Sequence, residues 1–265
     1  MSDAGDWLRT SIGRSTADSI TVRGRDLARD VMGELSFAEL AFLLAADRVP
    51  SRAESDLFNA VLVSLADHGL TPTALAARLT FTGAPESQQG AIAAGLLGGG
   101  SVFLGPVEDT ARFLGIVLDR VPAEDGTEDD ALRRAAADAV RSTVDEGHRI
   151  PGLGHPIHKE VDPRTPRLYQ IAREADVAGP HLRLLEIVAE EHRAATGVSL
   201  PINGAGAAGA ALADLGFSPS AARGFALLAR TAGLVAHLAE EAERPLGMRL
   251  WKEVDRRAGE SEGTD

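Results

Sequence analysis

The chain has 265 residues, 39 acidic and 27 basic, for a net charge of −12, with 44% apolar and 4% aromatic side chains. This is a globular composition that fits one large domain or two unequal ones, and its negative field repels phosphate backbones and anionic membranes, so neither nucleic acid nor a membrane is an expected partner. Cysteine is absent, which removes disulfides, thiolate metal sites and Cys nucleophiles and leaves the cytoplasm as the expected compartment.

Met1 to Arg9 is polar and acidic and does not read as a signal peptide. Ser19 to Arg25 alternates like a strand. Ser36 opens a helix over Phe37 to Ala46, stopped before Pro50 by Arg48 and Val49. Ser51 and Glu54 form a capping box, and Leu57, Val61, Leu62 and Leu65 share one helical face until Gly69. Further helices are predicted near 71–81, 87–97 and 107–119. Arg120 to Glu128 is the best candidate linker or hinge, and Thr127 with Asp130 opens a helix running to Gly147. Helices follow near 164–175, 179–196 and 206–215, and Ser218-Pro219 opens the longest, ending at Glu243 before Pro245. The tail from Ala258 is polar and expected to fray. With so few aromatic residues, the core is expected to rest on Ala, Leu, Val and Ile in closely packed helices. The uncharged stretches Ser87 to Val107 and Ala194 to Ala213 carry too much Gly and Pro, and too little Leu, Ile and Phe, to read as membrane spans. The fold class is all-α.

The most informative stretch is Ile150 to Arg164. Its glycines and prolines forbid a helix and let the backbone approach a ligand, and it carries His155, His158, Lys159 and Arg164. Clustered cations in an acidic protein point to an anion pocket, and imidazole adds a group that exchanges protons near neutral pH. Solvated charges on a surface loop are the plainer explanation. Asp67-His68-Gly69 places a second histidine at a helix C-terminus, where it is equally suited to capping the helix dipole. The Gly-rich run Gly95 to Gly105 lacks the Lys-Ser/Thr ending of a phosphate loop. Gly204-Ala-Gly206-Ala-Ala-Gly209 matches the dinucleotide fingerprint literally, but no acidic residue follows at the required distance, so nicotinamide binding is set aside. Arg230 lies among Leu227, Leu228, Ala229 and Leu234, and a guanidinium on so apolar a segment needs a buried anion.

In combination these features resemble the citrate synthase superfamily, and within it the short citryl-CoA lyase branch that also forms the C-terminal module of ATP-citrate lyase. The likeness spans roughly residues 15 to 250. It rests on Gly152-Leu153-Gly154-His155 followed by Lys159 and Asp162-Pro163-Arg164, on Asp67-His68-Gly69, on Arg230-Thr-Ala-Gly and on Glu243-Arg244-Pro245. The resemblance implies a large helical domain (1–119 and 216–257), a small CoA-side region (120–215), a disordered tail (258–265) and an obligate homodimer with shared active sites. It implies that His155 contacts the ketone or hydroxyl oxygen and can take the hydroxyl proton. His68, Arg164, Arg230 and Arg244 would hold carboxylates, Arg244 in the neighbouring subunit's site, while Gly152, Leu153, Gly154 and Lys159 would face CoA.

Two positions depart from the synthase pattern. Phe103 stands where the synthase has a histidine on the thioester oxygen, as in the ATP-citrate lyase module. Ala205 stands where the family has the aspartate that moves the acetyl proton. Water or another group would have to replace that carboxylate, and His158, Glu108 and Asp109 are candidates. The expected activity is cleavage of citryl-CoA, or a related 3-hydroxy-3-carboxyacyl-CoA, into an acyl-CoA and a 2-oxo acid such as oxaloacetate. A non-catalytic CoA- or citrate-binding homologue and a condensing synthase are the alternatives. No metal or permanently bound cofactor is expected, since the CoA thioester is substrate.

Overall fold

The structure, a computed structural model, describes residues 9–122 and 128–260. Among them lie eleven α-helices and one small sheet, so the all-α expectation holds. The expected strand is the middle of an antiparallel sheet: β1 (Gly13–Ser15), β2 (Ile20–Val22) and β3 (Arg25–Asp26), in that order. Arg23 and Gly24 both have positive φ and close the β2–β3 hairpin, a conformation that Gly24 adopts freely. The Arg23 side chain ties this sheet to the main body by donating to the carbonyl of Leu44 at 3.0 and 2.6 Å. One π-helical turn (Leu27–Val31) follows, started by Asp26 accepting from the N–H groups of Ala28 and Arg29.

Local punctuation behaves as read. α1 (Phe37–Ala46) and α2 (Arg52–Ala66) both begin with complete capping boxes, Ser36/Glu39 and Ser51/Glu54. α3 (Pro72–Gly83) is followed by α4 (Gln88–Leu104), which continues beyond the expected end and breaks at Gly100, where φ is 48°. α5 (Pro106–Leu118) buries Val107, Thr110, Ala111, Leu114 and Val117. By length and composition alone Gln88–Leu118 is apolar enough to cross a membrane. It is nonetheless two helices that meet at Gly105, the first broken internally at Gly100, and α5 packs into the core. α6 (Asp129–Asp145) starts after Glu128 without a side-chain cap; the expected Thr127 cap, and residues 123–127 of the expected hinge, lie outside the described residues.

α7 (Arg164–Glu174), α8 (Pro180–Thr196), α9 (Gly204–Asp214) and α10 (Pro219–Glu243) fall where predicted. α11 (Gly247–Glu260) was not expected. Its start depends on the buried Glu241 of α10, whose carboxylate accepts from the N–H groups of Leu246 and Gly247 at 2.8 and 2.7 Å. A cap delivered from another helix leaves no local sequence signal. The expected frayed tail therefore begins inside α11, and residues 261–265 lie outside the described residues.

One apolar core draws on α1, α2 and α5–α10. Its centre departs from the aliphatic expectation: Phe42, Phe58, Phe217 and Phe225 meet largely edge to face, with centroids 4.7 to 5.7 Å apart. The Gly204/Gly206/Gly209 set also has a packing explanation. A Cβ on Gly206 would come within 2.5 Å of the Gly152 backbone, and one on Gly209 within 2.4 Å of the Val107 carbonyl oxygen. These glycines let α9 press against α5 and the 150–163 loop, and that contact places the site.

Candidate active site

The loop that carries His155 is clamped onto the segment leading into α9. Gly154 N–H donates to the Pro201 carbonyl at 2.8 Å, Asn203 N–H to the Gly152 carbonyl at 2.9 Å, and the Asn203 amide to the Gly154 carbonyl at 2.8 Å. Asn203 then caps α9 by accepting from Gly206 N–H at 2.8 Å. Gly152 and Gly154 hold φ of 86° and 78°, a left-handed backbone that other residues adopt only under strain.

Three imidazoles converge in front of this clamp. His68 follows the extended residue Asp67 at the end of α2, and its ring lies 5.4 Å from His155 and 5.7 Å from His158. The His155 and His158 rings are 4.5 Å apart. His68 is thus part of a cluster rather than a dipole cap. Among the described residues no hydrogen bond fixes the His68 ring, but His155 is strongly fixed. Its Nδ1 accepts from the N–H groups of Ile157 and His158, both at 3.1 Å, so the neutral ring carries its proton on Nε2. Burial, with Arg164, His158 and Arg230 adding to it, holds the His68 imidazolium below its ordinary pKa. Burial likewise lowers His155, and Asp162 only partly opposes it. Both rings therefore favour the neutral form at neutral pH.

The arginines divide into three kinds. Arg164, the first residue of α7, grips the fully buried Asp162 with Nε and Nη2 at 2.9 and 2.7 Å, leaving Nη1 facing the Ser64 carbonyl at 3.4 Å. Burial alone would raise Asp162, but Arg164 and the Gly204 N–H at 2.7 Å together hold its carboxyl well below the usual carboxylate range. Arg230 on α10 is 9% exposed, and its Nε and Nη1 have no hydrogen-bond partner among the described residues. Burial lowers its pKa below that of an ordinary arginine; Arg164 adds to this and Asp67 opposes it. The buried anion predicted for Arg230 is not found among the described residues: Asp67, whose charge acts on it, is half exposed and pairs with His237. Arg244, at the end of α10, is exposed and pairs with Glu240 at 3.0 Å, so it does not join the cluster within this chain. Lys159 is exposed and donates to the His155 carbonyl at 3.2 Å. Phe103 is half exposed on α4 beyond the Gly100 break, and Ala205 sits half-buried in the first turn of α9.

Ligand nitrogens of the three histidines lie within 4.8 Å of one another, the spacing of a metal triad. The chemistry disfavours a dication. Arg164 and Arg230 both act on His68 as opposing positive charges, and a metal on His155 Nε2 would displace its proton onto an Nδ1 already occupied by two N–H donors. The arrangement suits an anion.

Sequence reasoning missed the support beneath this cluster. His237, two turns beyond Arg230 on α10, places Nε2 2.9 Å from Asp67 Oδ1, and Asp67 Oδ2 accepts from Gly69 N–H at 2.8 Å. Arg78 donates to His237 Nδ1 at 3.1 Å and to Glu241 at 2.9 Å, and also pairs with Glu240. The available signal was that His237 follows Arg230 by seven residues, two turns on along α10.

Residues 22–252 match the family described as citrate synthase, C-terminal domain. The chain belongs to the citrate synthase family. It is an enzyme of that superfamily with the citrate synthase-like, all-helical fold. The citryl-CoA lyase of Hydrogenobacter thermophilus is 35% identical, with a TM-score of 0.78 over 88% of this chain and 86% of that one. A variant of Methanosaeta concilii ATP citrate lyase in complex with (3S)-citryl-CoA shares the fold, at 23% identity and TM-score 0.71, over 89% of this chain and 39% of the longer one. Thermotoga maritima citrate synthase does so at 18% identity and TM-score 0.64, over 81% and 56%. No curated protein matches the chain.

Proposed function

We propose that this citrate synthase-family enzyme is a carbon–carbon lyase of the citryl-CoA lyase type, which cleaves citryl-CoA or a related 3-hydroxy-3-carboxyacyl-CoA into an acyl-CoA and a 2-oxo acid such as oxaloacetate. The observation that carries the reading is Arg230: a buried guanidinium whose Nε and Nη1 have no partner among the described residues, within electrostatic reach of Arg164 and of His68, itself one of three clustered imidazoles. An uncompensated buried cation is costly, and a substrate carboxylate relieves that cost while gaining a charge-assisted hydrogen bond. The likeness to the Hydrogenobacter citryl-CoA lyase over nearly the whole of both chains supports the same class.

In this reading Arg230, Arg164 Nη1 and Arg244 of a second copy hold the carboxylates, and Lys159 with the Gly152–Gly154 backbone faces CoA. The His155 tautomer changes the role expected of it. A ring whose proton sits on Nε2 donates to the substrate oxygen rather than taking its proton, so it steadies the developing alkoxide and ketone. His68, held neutral, takes the hydroxyl proton. Ala205 replaces the family's aspartate, and with Phe103 this weighs against the condensing direction, whose first step forms an enolate from acetyl-CoA. The active unit is a homodimer in the cytoplasm, its small CoA-side region spanning 120–215; exposed Leu97, Val102 and Phe103 on α4 and Trp251 and Val254 on α11 supply apolar surface for the partner.

The test is to mix the purified protein with citryl-CoA and follow oxaloacetate with a coupled reductase. Turnover above the buffer rate is expected; none with citryl-CoA or related 3-hydroxyacyl thioesters discards the reading.

A further inference from the structure

Cleavage of this kind leaves an enolate whose carbon must take up a proton, and the alanine at position 205 has nothing to give. Three groups are candidates for the donor: Glu108, Asp109 and His158. Glu108 on α5 is already engaged by two cations, Arg112 and Arg223. Asp109 is exposed on α5. His158 differs from both. Its ring stacks on His155 at 4.5 Å with a 29° tilt and lies nearly parallel to His68, at 5.7 Å and 10°. Its own backbone N–H helps to lock His155. It is half-buried rather than solvated.

The stacking has an electrostatic consequence. Charge on one imidazole disfavours charge on its neighbours, so a proton gained by His68 favours the loss of one from the ring stacked beside it. Cleavage of a 3-hydroxyacyl thioester moves one proton, from the hydroxyl oxygen to the acyl carbon. His155 cannot deliver it without reprotonation, because its Nε2–H is held on the substrate oxygen. His68 receives the hydroxyl proton. Only the third ring has no assigned role.

We propose that His158 delivers the proton to the enolate carbon, taking the place of the carboxylate absent at Ala205; this rests on the lyase reading above. The hydroxyl O–H bond breaks and its proton passes to His68. The oxygen's electrons form the ketone as the carbon–carbon bond breaks, and the electrons of that bond become the thioester enolate. The enolate carbon then bonds to the His158 imidazolium proton, whose N–H electrons remain on the ring. His68 ends protonated and His158 neutral, and one proton transferred across the stacked rings restores the starting state with nothing consumed.

The experiment compares citryl-CoA cleavage by the wild type, His158→Gln, His158→Asn, and His158→Gln combined with Ala205→Asp, with folding checked by circular dichroism. The single variants are expected to lose about 10²-fold or more in kcat with little change in KM, the scale of one lost acid. The double variant is expected to recover turnover, because it returns a carboxylate to the family position, a result that a merely structural role for His158 would not produce. An active wild type with both single variants within twofold in kcat, or with losses confined to KM, overturns this proposal and leaves the lyase reading standing. A folded single variant that loses turnover without recovery in the double variant also overturns it. An inactive wild type overturns both.

Discussion

Two clusters of arginine and histidine lie against α10 two turns apart, and they are built on opposite principles. Around His237 every strong donor has an acceptor: Arg78 is shared between His237, Glu240 and Glu241, and His237 completes Asp67. Around Arg230 the donors outnumber the acceptors: two guanidinium nitrogens are unpaired, Arg164 keeps one nitrogen free of Asp162, and His155 presents Nε2–H. A buried polar network that is satisfied from within rigidifies its surroundings, whereas one left short of anions is arranged for a ligand. Asp67 joins the two. It accepts from Gly69 N–H, which shapes the turn after His68, and its charge is felt by Arg230.

The sharpest way to break this contrast is to remove one arginine from each cluster. Arg78→Met leaves Glu241 buried without its cation and Glu240 with Arg244 alone, which costs about 3–5 kcal/mol by the usual penalty for a broken buried pair. It also loosens α11, whose first N–H groups depend on Glu241. Arg230→Met removes a cation whose Nε and Nη1 have no partner among the described residues, so ligand-free stability is expected to change by less than about 1 kcal/mol or to rise, while protection by citrate disappears. Urea unfolding with and without citrate measures both. Equal losses in the two variants would show that Arg230 is structural after all.

The next effect in size belongs to His155. His155→Ala is expected to lower citryl-CoA turnover by about 10²-fold or more, through loss of the donor on the substrate oxygen. Its unfolding midpoint is expected to stay near that of the wild type, because the loop is clamped by backbone bonds through Gly152, Gly154 and Asn203 rather than by the ring. Steady-state kinetics beside thermal unfolding separates these outcomes. A variant that melts early and keeps its kcat would place His155 among the supports.

How much of this contrast was legible in the sequence follows from how local each signal is. Ser36, Ser51 and Ser218 cap helices within four residues of chain, and all three were readable. The 150–164 loop announced itself through its own composition. Arg230 was flagged because a charge among leucines is anomalous at any distance. Arg78 and Glu241 are separated by more than 160 positions, so neither hinted at the other, and α11 was missed with them because its cap is Glu241. The four-phenylalanine centre joins α1, α2 and α10 with the segment before it, which only the fold brings together. His158 was noticed as a nearby residue, but its stacking on two other rings is a property of the folded loop. The Gly204–Gly209 set shows the reverse case, a strong local pattern whose cause is the close approach of Gly152 and Val107.

The smallest expected effect tests the electrostatics of the open cluster directly. In the ligand-free protein, burial and Arg164 hold His68 below its ordinary value of about 6.5, and burial with His158 does the same for His155. A folded pKa below the unfolded one means that the unfolded chain binds more protons in the window beneath about pH 6.5, so these two groups make stability fall as pH is lowered through it. A polycarboxylate placed among the rings acts in the opposite direction, favouring imidazolium and raising both values. Citrate binding is therefore expected to take up a fraction of a proton near pH 7 and to tighten as pH falls, until the ligand's own carboxylates begin to protonate. Titration calorimetry in two buffers of different ionisation heat gives the proton count. Uptake that shrinks in His68→Gln but persists in His237→Gln would assign it to the open cluster, and zero uptake or release would mean the rings are already charged, with the two clusters no longer distinguished by their protons.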